Sequence, residues 1–68
     1  MDIEEAVHRA RAWLHENGIP TDDREYAVEA EPERFRVVFR PPPRMRAGDF
    51  TLYVDRQTGN ISDVTIER

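Results

Sequence analysis

The chain has no cysteine and no lysine. The first absence removes disulfides and thiolate–zinc sites, two common staples of a domain this small. The second means that all ten basic residues are arginine, which fits either a GC-rich genome or selection for guanidinium chemistry. Long hydrophobic runs are missing too. No stretch approaches the roughly 18 apolar residues of a membrane-spanning helix. The start, Met1-Asp2-Ile3-Glu4-Glu5, is acidic, unlike the basic and apolar head of an export signal. These features lead to the expectation of a soluble, cytoplasmic protein with no membrane partner.

Chemical machinery is equally sparse. The two histidines, His8 and His15, fall seven residues apart on an expected helix, about 10 Å by helical rise, which is too far for one metal ion. Neither has a serine, cysteine or carboxylate at a spacing diagnostic of nucleophilic catalysis. The carboxylates are plentiful but scattered over helix surface and turns. The reading is a non-enzyme, with no catalytic residue, no metal site and no cofactor. No dominant positive field exists either. The net charge is −4, which argues against nucleic acid as a partner.

Sixty-eight residues allow one domain with one small core. Below roughly 70–80 residues such a core seldom supplies more than about 3–5 kcal/mol. Without staples, association with a partner or a second copy is the remaining source of stability. Charge is unevenly distributed. Residues 1–33 hold ten acids against Arg9, Arg11 and Arg24, a net of −7, whereas residues 34–68 carry a net of +3.

The first segment reads as an amphipathic helix. Ile3, Ala6, Val7, Ala10, Trp13 and Leu14 recur at three- and four-residue spacing, leaving Glu4, Glu5, Arg9, Arg11 and Glu16 for water. Asp2 is placed to cap its start, with Glu5 completing a capping box. Asn17-Gly18-Ile19-Pro20 reads as a stop, with Gly18 left-handed and Ile19 folded back on the last turn.

After a polar connector, residues 21–24, the period changes to two. Tyr26, Val28 and Ala30 alternate with polar neighbours, then Phe35, Val37 and Phe39 do the same beyond a Glu31-Pro32-Glu33 turn. Pro41-Pro42-Pro43 ends that second strand and opens a stiff loop through residue 48. Phe50, Leu52 and Val54 form a third strand, and residues 61–66 a fourth.

The fold class is α+β: an N-terminal helix packed on one face of a four-stranded antiparallel sheet, in the order α-β-β-β-β. The expected core runs from Ile3, Val7, Ala10, Trp13 and Leu14 on the helix, through Ile19, to the alternating strand residues, with Tyr26, Ile61, Val64 and Ile66 among them. One inconsistency stands out. Pairing Val54 with Ile61 would put Asp63 on the core face, whereas Val64 and Ile66 need the opposite parity. A β-bulge near Ser62-Asp63 reconciles them.

One helix covers one face only. The other is expected to present Glu25, Ala27, Glu29, Arg36, Val38, Arg40, Thr51 and Tyr53. The concentrated feature is Arg34, Arg36, Arg40, Arg44 and Arg46, five arginines in thirteen residues, with no acid from Arg34 to Gly48. Two readings stand side by side: balance against the acidic first strand and helix, or a patch for an acidic protein surface or a phosphate group. The candidate partner-binding residues are Arg36, Val38, Arg40, Arg44, Arg46 and Tyr53. A homodimer through open sheet faces or edges is an alternative, as is a polyanion site on the arginine-rich loop.

Val54-Asp55-Arg56-Gln57-Thr58-Gly59-Asn60-Ile61 forms a strand, polar turn and returning strand, with Asp55 accepting turn N–H groups and Gly59 supplying a positive φ. This "V-D-x-x-T-G-x-I" hairpin resembles that of PepSY domains and of the YrhB-like immunity-protein family. Ala10-Arg11-Ala12-Trp13-Leu14 and the strand Phe35-Arg36-Val37-Val38-Phe39 are similar to the corresponding parts of the YrhB-like pattern. PepSY domains are regarded as inhibitory or regulatory modules, and YrhB-like proteins as small cytoplasmic chains grouped with toxin immunity proteins. The resemblance implies a non-enzymatic protein, an immunity or inhibitor protein among the options, that acts by binding another protein.

Overall fold

The structure, a computed structural model, describes residues 1–41 and 48–67. Helix α1 (Ile3–Glu16) precedes strands β1 (Tyr26–Ala30), β2 (Arg34–Phe39), β3 (Phe50–Asp55) and β4 (Ile61–Ile66). The strands form one sheet in the order β1-β2-β3-β4, each antiparallel to its neighbour. The expected α+β architecture is the one observed.

Both ends of α1 follow from local chemistry. The Asp2 carboxylate accepts the Glu5 N–H at 2.8 Å, satisfying one of the orphan donors of the first turn. The reciprocal half of the expected capping box is replaced, because the Glu5 carboxylate turns to Arg9 at 3.3 Å. At the other end Gly18 has φ +79°, its N–H donates to the His15 carbonyl, and the Ile19 N–H donates to Leu14. That bond pair is a Schellman motif, and it folds Ile19 against the core as expected.

The core lies between α1 and the near face of the sheet. Ala6, Val7, Ala10 and Leu14 meet Phe35, Val37, Phe39, Phe50, Leu52 and Val54. Strict alternation of burial along β2 and β3 shows these to be the central strands. The register Phe35↔Val54, Val37↔Leu52 and Phe39↔Phe50 stacks their apolar residues in cross-strand pairs.

Three expected core residues are instead exposed: Ile3 at 47%, Tyr26 at 47% and Ile66 at 39%. Each lies at a margin. Ile3 opens the helix, Tyr26 belongs to the edge strand β1, and Ile66 ends the opposite edge strand. Periodicity assigns a side chain to a face, but the reach of the covering helix decides whether that face is dry. Ala6 on the helix's apolar stripe, Thr21 and Gly59, all outside the expected core list, are buried as well. Thr21 is held by Arg11, whose Nη1 donates to its carbonyl at 2.6 Å.

The parity conflict in β4 is resolved where the sequence requires it. The β3–β4 register shifts between Thr51↔Thr65 and Tyr53↔Ser62, and Asp63 stands at φ +51°. Asp63 is therefore the extra residue of a β-bulge. Aspartate is among the few non-glycine residues that tolerate this left-handed conformation.

Candidate functional site

The face of the sheet turned away from α1 is built by the odd partners of the core pattern. Arg34 pairs with Asp55, Arg36 with Tyr53, and Val38 with Thr51, while Ala27 and Glu29 of β1 continue the same surface. The Arg56 N–H donates to the Glu33 carbonyl, which sets the hydrogen-bonding phase of the β2–β3 ladder. Arg36 and Tyr53 then fall at a non-hydrogen-bonded position, where Cα atoms approach to about 4.5 Å and side chains touch most closely.

Arg34, which sequence reading left off this face, is its most constrained member. Its guanidinium carbon lies 3.7 Å from the centroid of the Tyr53 ring. Nε donates to Glu31 at 2.9 Å and Nη1 to Asp63 at 2.8 Å. The hydrogen bond that Arg34 donates to Glu31, and the one to Asp63, raise its pKa above the ordinary arginine value against a partial desolvation cost. One side chain thus spans from the β1–β2 turn, across Tyr53, to the bulge in β4. The bulge is what turns the Asp63 carboxylate toward Arg34, and no sequence motif announces that contact.

The two readings of the arginine cluster divide residue by residue. Arg34 is balanced by Glu31 and Asp63, and Arg36 stands 3.7 Å from Glu29. All three pairs are partly exposed, and Arg36–Glu29 is long, so each contributes only about 0–1 kcal/mol. Arg40 lies just beyond β2, exposed and without an ion pair among the described residues; its N–H donates to the Glu25 carbonyl. Arg44 and Arg46 lie outside the described residues. Arg36, Val38 and Tyr53 do share one surface.

Arginine also has a role that charge counting missed. Arg11 lies over Tyr26 and Phe39, Arg24 over Phe50, Arg34 over Tyr53 and Arg56 over Phe35. Among the described residues, every aromatic ring except Trp13 carries a guanidinium, a planar group that stacks where an ammonium does not. The interleaving of arginines with aromatics was the available signal in the sequence.

The β3–β4 hairpin serves geometry. Asp55 Oδ1 accepts the N–H groups of Gln57 and Thr58 at 2.8 and 2.9 Å, and these bonds hold its pKa below the usual carboxylate value. Gly59 has φ +77°, and a Cβ there would lie 2.5 Å from the Arg9 guanidinium. His8 and His15 are exposed on α1. Among the described residues no group of three or more His, Asp or Glu side chains is placed to hold a metal ion. No helix among them is long and apolar enough to cross a membrane.

No protein-family model, curated protein or solved structure matches this chain. The functional reading therefore rests on the residues of the sheet face and on the hairpin likeness.

Proposed function

We propose that this is a non-enzymatic interaction protein that binds a partner protein through the open face of its sheet, in the manner of an immunity or inhibitor protein. The observation that carries the reading is the Arg34–Tyr53 stack. Tyrosine and arginine are the side chains most enriched at binding hot spots, and here they are held in place by Glu31 and Asp63 before any partner arrives. A preorganised anchor loses little rotamer entropy on docking. Around it Arg36, Val38 and Arg40 supply a guanidinium, an apolar contact and a further cation. Arg36 is freed cheaply, because its link to Glu29 is long and exposed. The likeness of the hairpin to PepSY and YrhB-like proteins supports the same non-catalytic class.

The action is steric occlusion of the partner's own site, with charge complementarity guiding the encounter. The test is capture from the native host with the wild-type chain and with an Arg36→Glu/Arg40→Glu variant. The variant should keep its thermal midpoint and lose the captured partner. Undiminished capture would sink the proposal. Light scattering on the purified chain separates it from a homodimer that hides the same face, since a tight dimer would leave no free surface.

A further inference from the structure

We infer that the outer edge of β1, which pairs with nothing among the described residues, is a second docking site, which takes an extended segment of alternating apolar and basic side chains by strand addition. The edge borders the open face at Glu25 and Glu29, and its occupancy does not depend on the function proposed for that face. The hydrogen-bonding phase of β1 is fixed at both ends, where the Arg40 N–H donates to Glu25 O and the Glu31 N–H to Arg34 O. Residues 25, 27, 29 and 31 thus turn their backbone groups toward β2. The N–H and C=O groups of Tyr26, Val28 and Ala30 point outward, three donors and three acceptors in a regular row.

The two edges of the sheet differ. In β4 the ladder is broken by the Asp63 bulge, a device that protects an edge from further pairing. β1 has no bulge or proline across its five residues, and Glu29 is its one charged side chain.

The side chains beside this edge specify what it accepts. Tyr26, Val28 and Ala30 lie on the helix-facing side, yet at the sheet's margin Tyr26 and Ala30 are exposed, with the Arg11 guanidinium of α1 5.6 Å from the Tyr26 ring centroid. Beyond Ala30 the strip continues into an open groove lined by Met1, Ile3 and Phe35, with Asp2, Glu4 and Arg56 also lining it. An incoming strand would place alternate side chains into this apolar strip. Its other side chains would fall on the open face beside Glu25 and Glu29. Asp2, Glu4 and Glu25 have no ion pair among the described residues, and Glu29 has only the 3.7 Å link to Arg36. Two cations flank the strip, Arg11 beside Tyr26 and Arg56 beside Phe35, each donating one N–H to a backbone carbonyl, of Thr21 and Glu31. The carboxylates of Asp2, Glu4, Glu25 and Glu29 outnumber them, so the complementary strand is basic at its polar positions.

The experiment titrates the intact chain with a capped heptapeptide, Arg-Val-Arg-Val-Arg-Val-Arg, followed by amide NMR and hydrogen exchange. The amides of Tyr26, Val28 and Ala30 should gain protection, and the effect should weaken with salt. A peptide N-methylated at its valines, and one with glutamate for arginine, should fail to bind. Glu25→Arg with Glu29→Arg should weaken binding by about three- to tenfold, the size of two exposed charge pairs. Four results would overturn the inference. One is no added protection of those amides, and another is equal binding by the methylated peptide. The third is concentration-dependent protection without peptide, which would assign the edge to a second copy. Perturbations confined to Arg36 and Tyr53 would likewise remove the edge site while leaving the open-face reading intact.

Discussion

Deleting Asp63 should leave the protein folded, whereas deleting Thr65, two residues away in the same strand, should damage it. Asp63 is the extra residue of the bulge, so its removal lets Ile61, Ser62, Val64, Thr65 and Ile66 alternate without interruption. Two terms then oppose each other. The exposed Arg34–Asp63 pair is lost, a cost of about 0.2–1 kcal/mol. The left-handed backbone is relieved, a gain at the lower end of roughly 1–2 kcal/mol because aspartate tolerates it better than most residues. The sum lies near zero, and the thermal midpoint should stay within about 5 °C of wild type. Deleting Thr65 keeps the bulge but moves Ile66 to the open face and brings Glu67 toward the core. Ile66 is 39% exposed, so the lost burial is roughly 1–2 kcal/mol. For a domain this small that corresponds to a fall of about 4–16 °C. Far-UV circular dichroism melts of both deletions decide the matter. Equal destabilisation by the two would refute the placement of the bulge at Asp63.

Two further perturbations probe the hairpin. Gly59→Ala should cost about 1–2 kcal/mol for its positive φ and more for displacing Arg9; in an Arg9→Ala background only the backbone cost should remain, and a double-mutant cycle in urea measures the difference. Asp55 has a depressed folded-state pKa because backbone N–H groups stabilise its carboxylate. Its contribution is therefore present above the unfolded value near 3.8 and is lost as pH falls through the lower folded value. Asp55→Asn should flatten the acid side of the stability profile below pH about 4, and an unchanged slope in acid titration would count against the turn bonds.

Much of the fold was legible because its signals are local. Asp2, Gly18 and Ile19 bound the helix through hydrogen bonds that span no more than five residues. The alternation of Phe35, Val37 and Phe39, and of Phe50, Leu52 and Val54, marked two strands with one apolar face each, while the register that pairs Phe35 with Val54 came from the structure. The bulge was legible from a contradiction, since Asp63 could not share a face with Ile61 while Val64 and Ile66 needed the core. The exposure of Ile3, Tyr26 and Ile66 was not legible, because it depends on how far one helix reaches over a twisted sheet.

The functional face shows the same division. Val38, Arg36 and Tyr53 were placed together by parity alone, a property of any strand with two-residue periodicity. Arg34 was missed there, because its importance comes from Glu31, Tyr53 and Asp63, residues up to twenty-nine positions distant. The amino-acid order thus determined the elements, their order and the two faces of the sheet, each through interactions among near neighbours. Only the tertiary structure decided which arginines are balanced and which rings they cover. It also decided that, among the described residues, the edge strand β1 has a regular row of outward backbone groups whereas the edge strand β4 is bulged at Asp63. Those outcomes depend on distances between segments far apart in the chain, and on where a single helix stops covering the sheet.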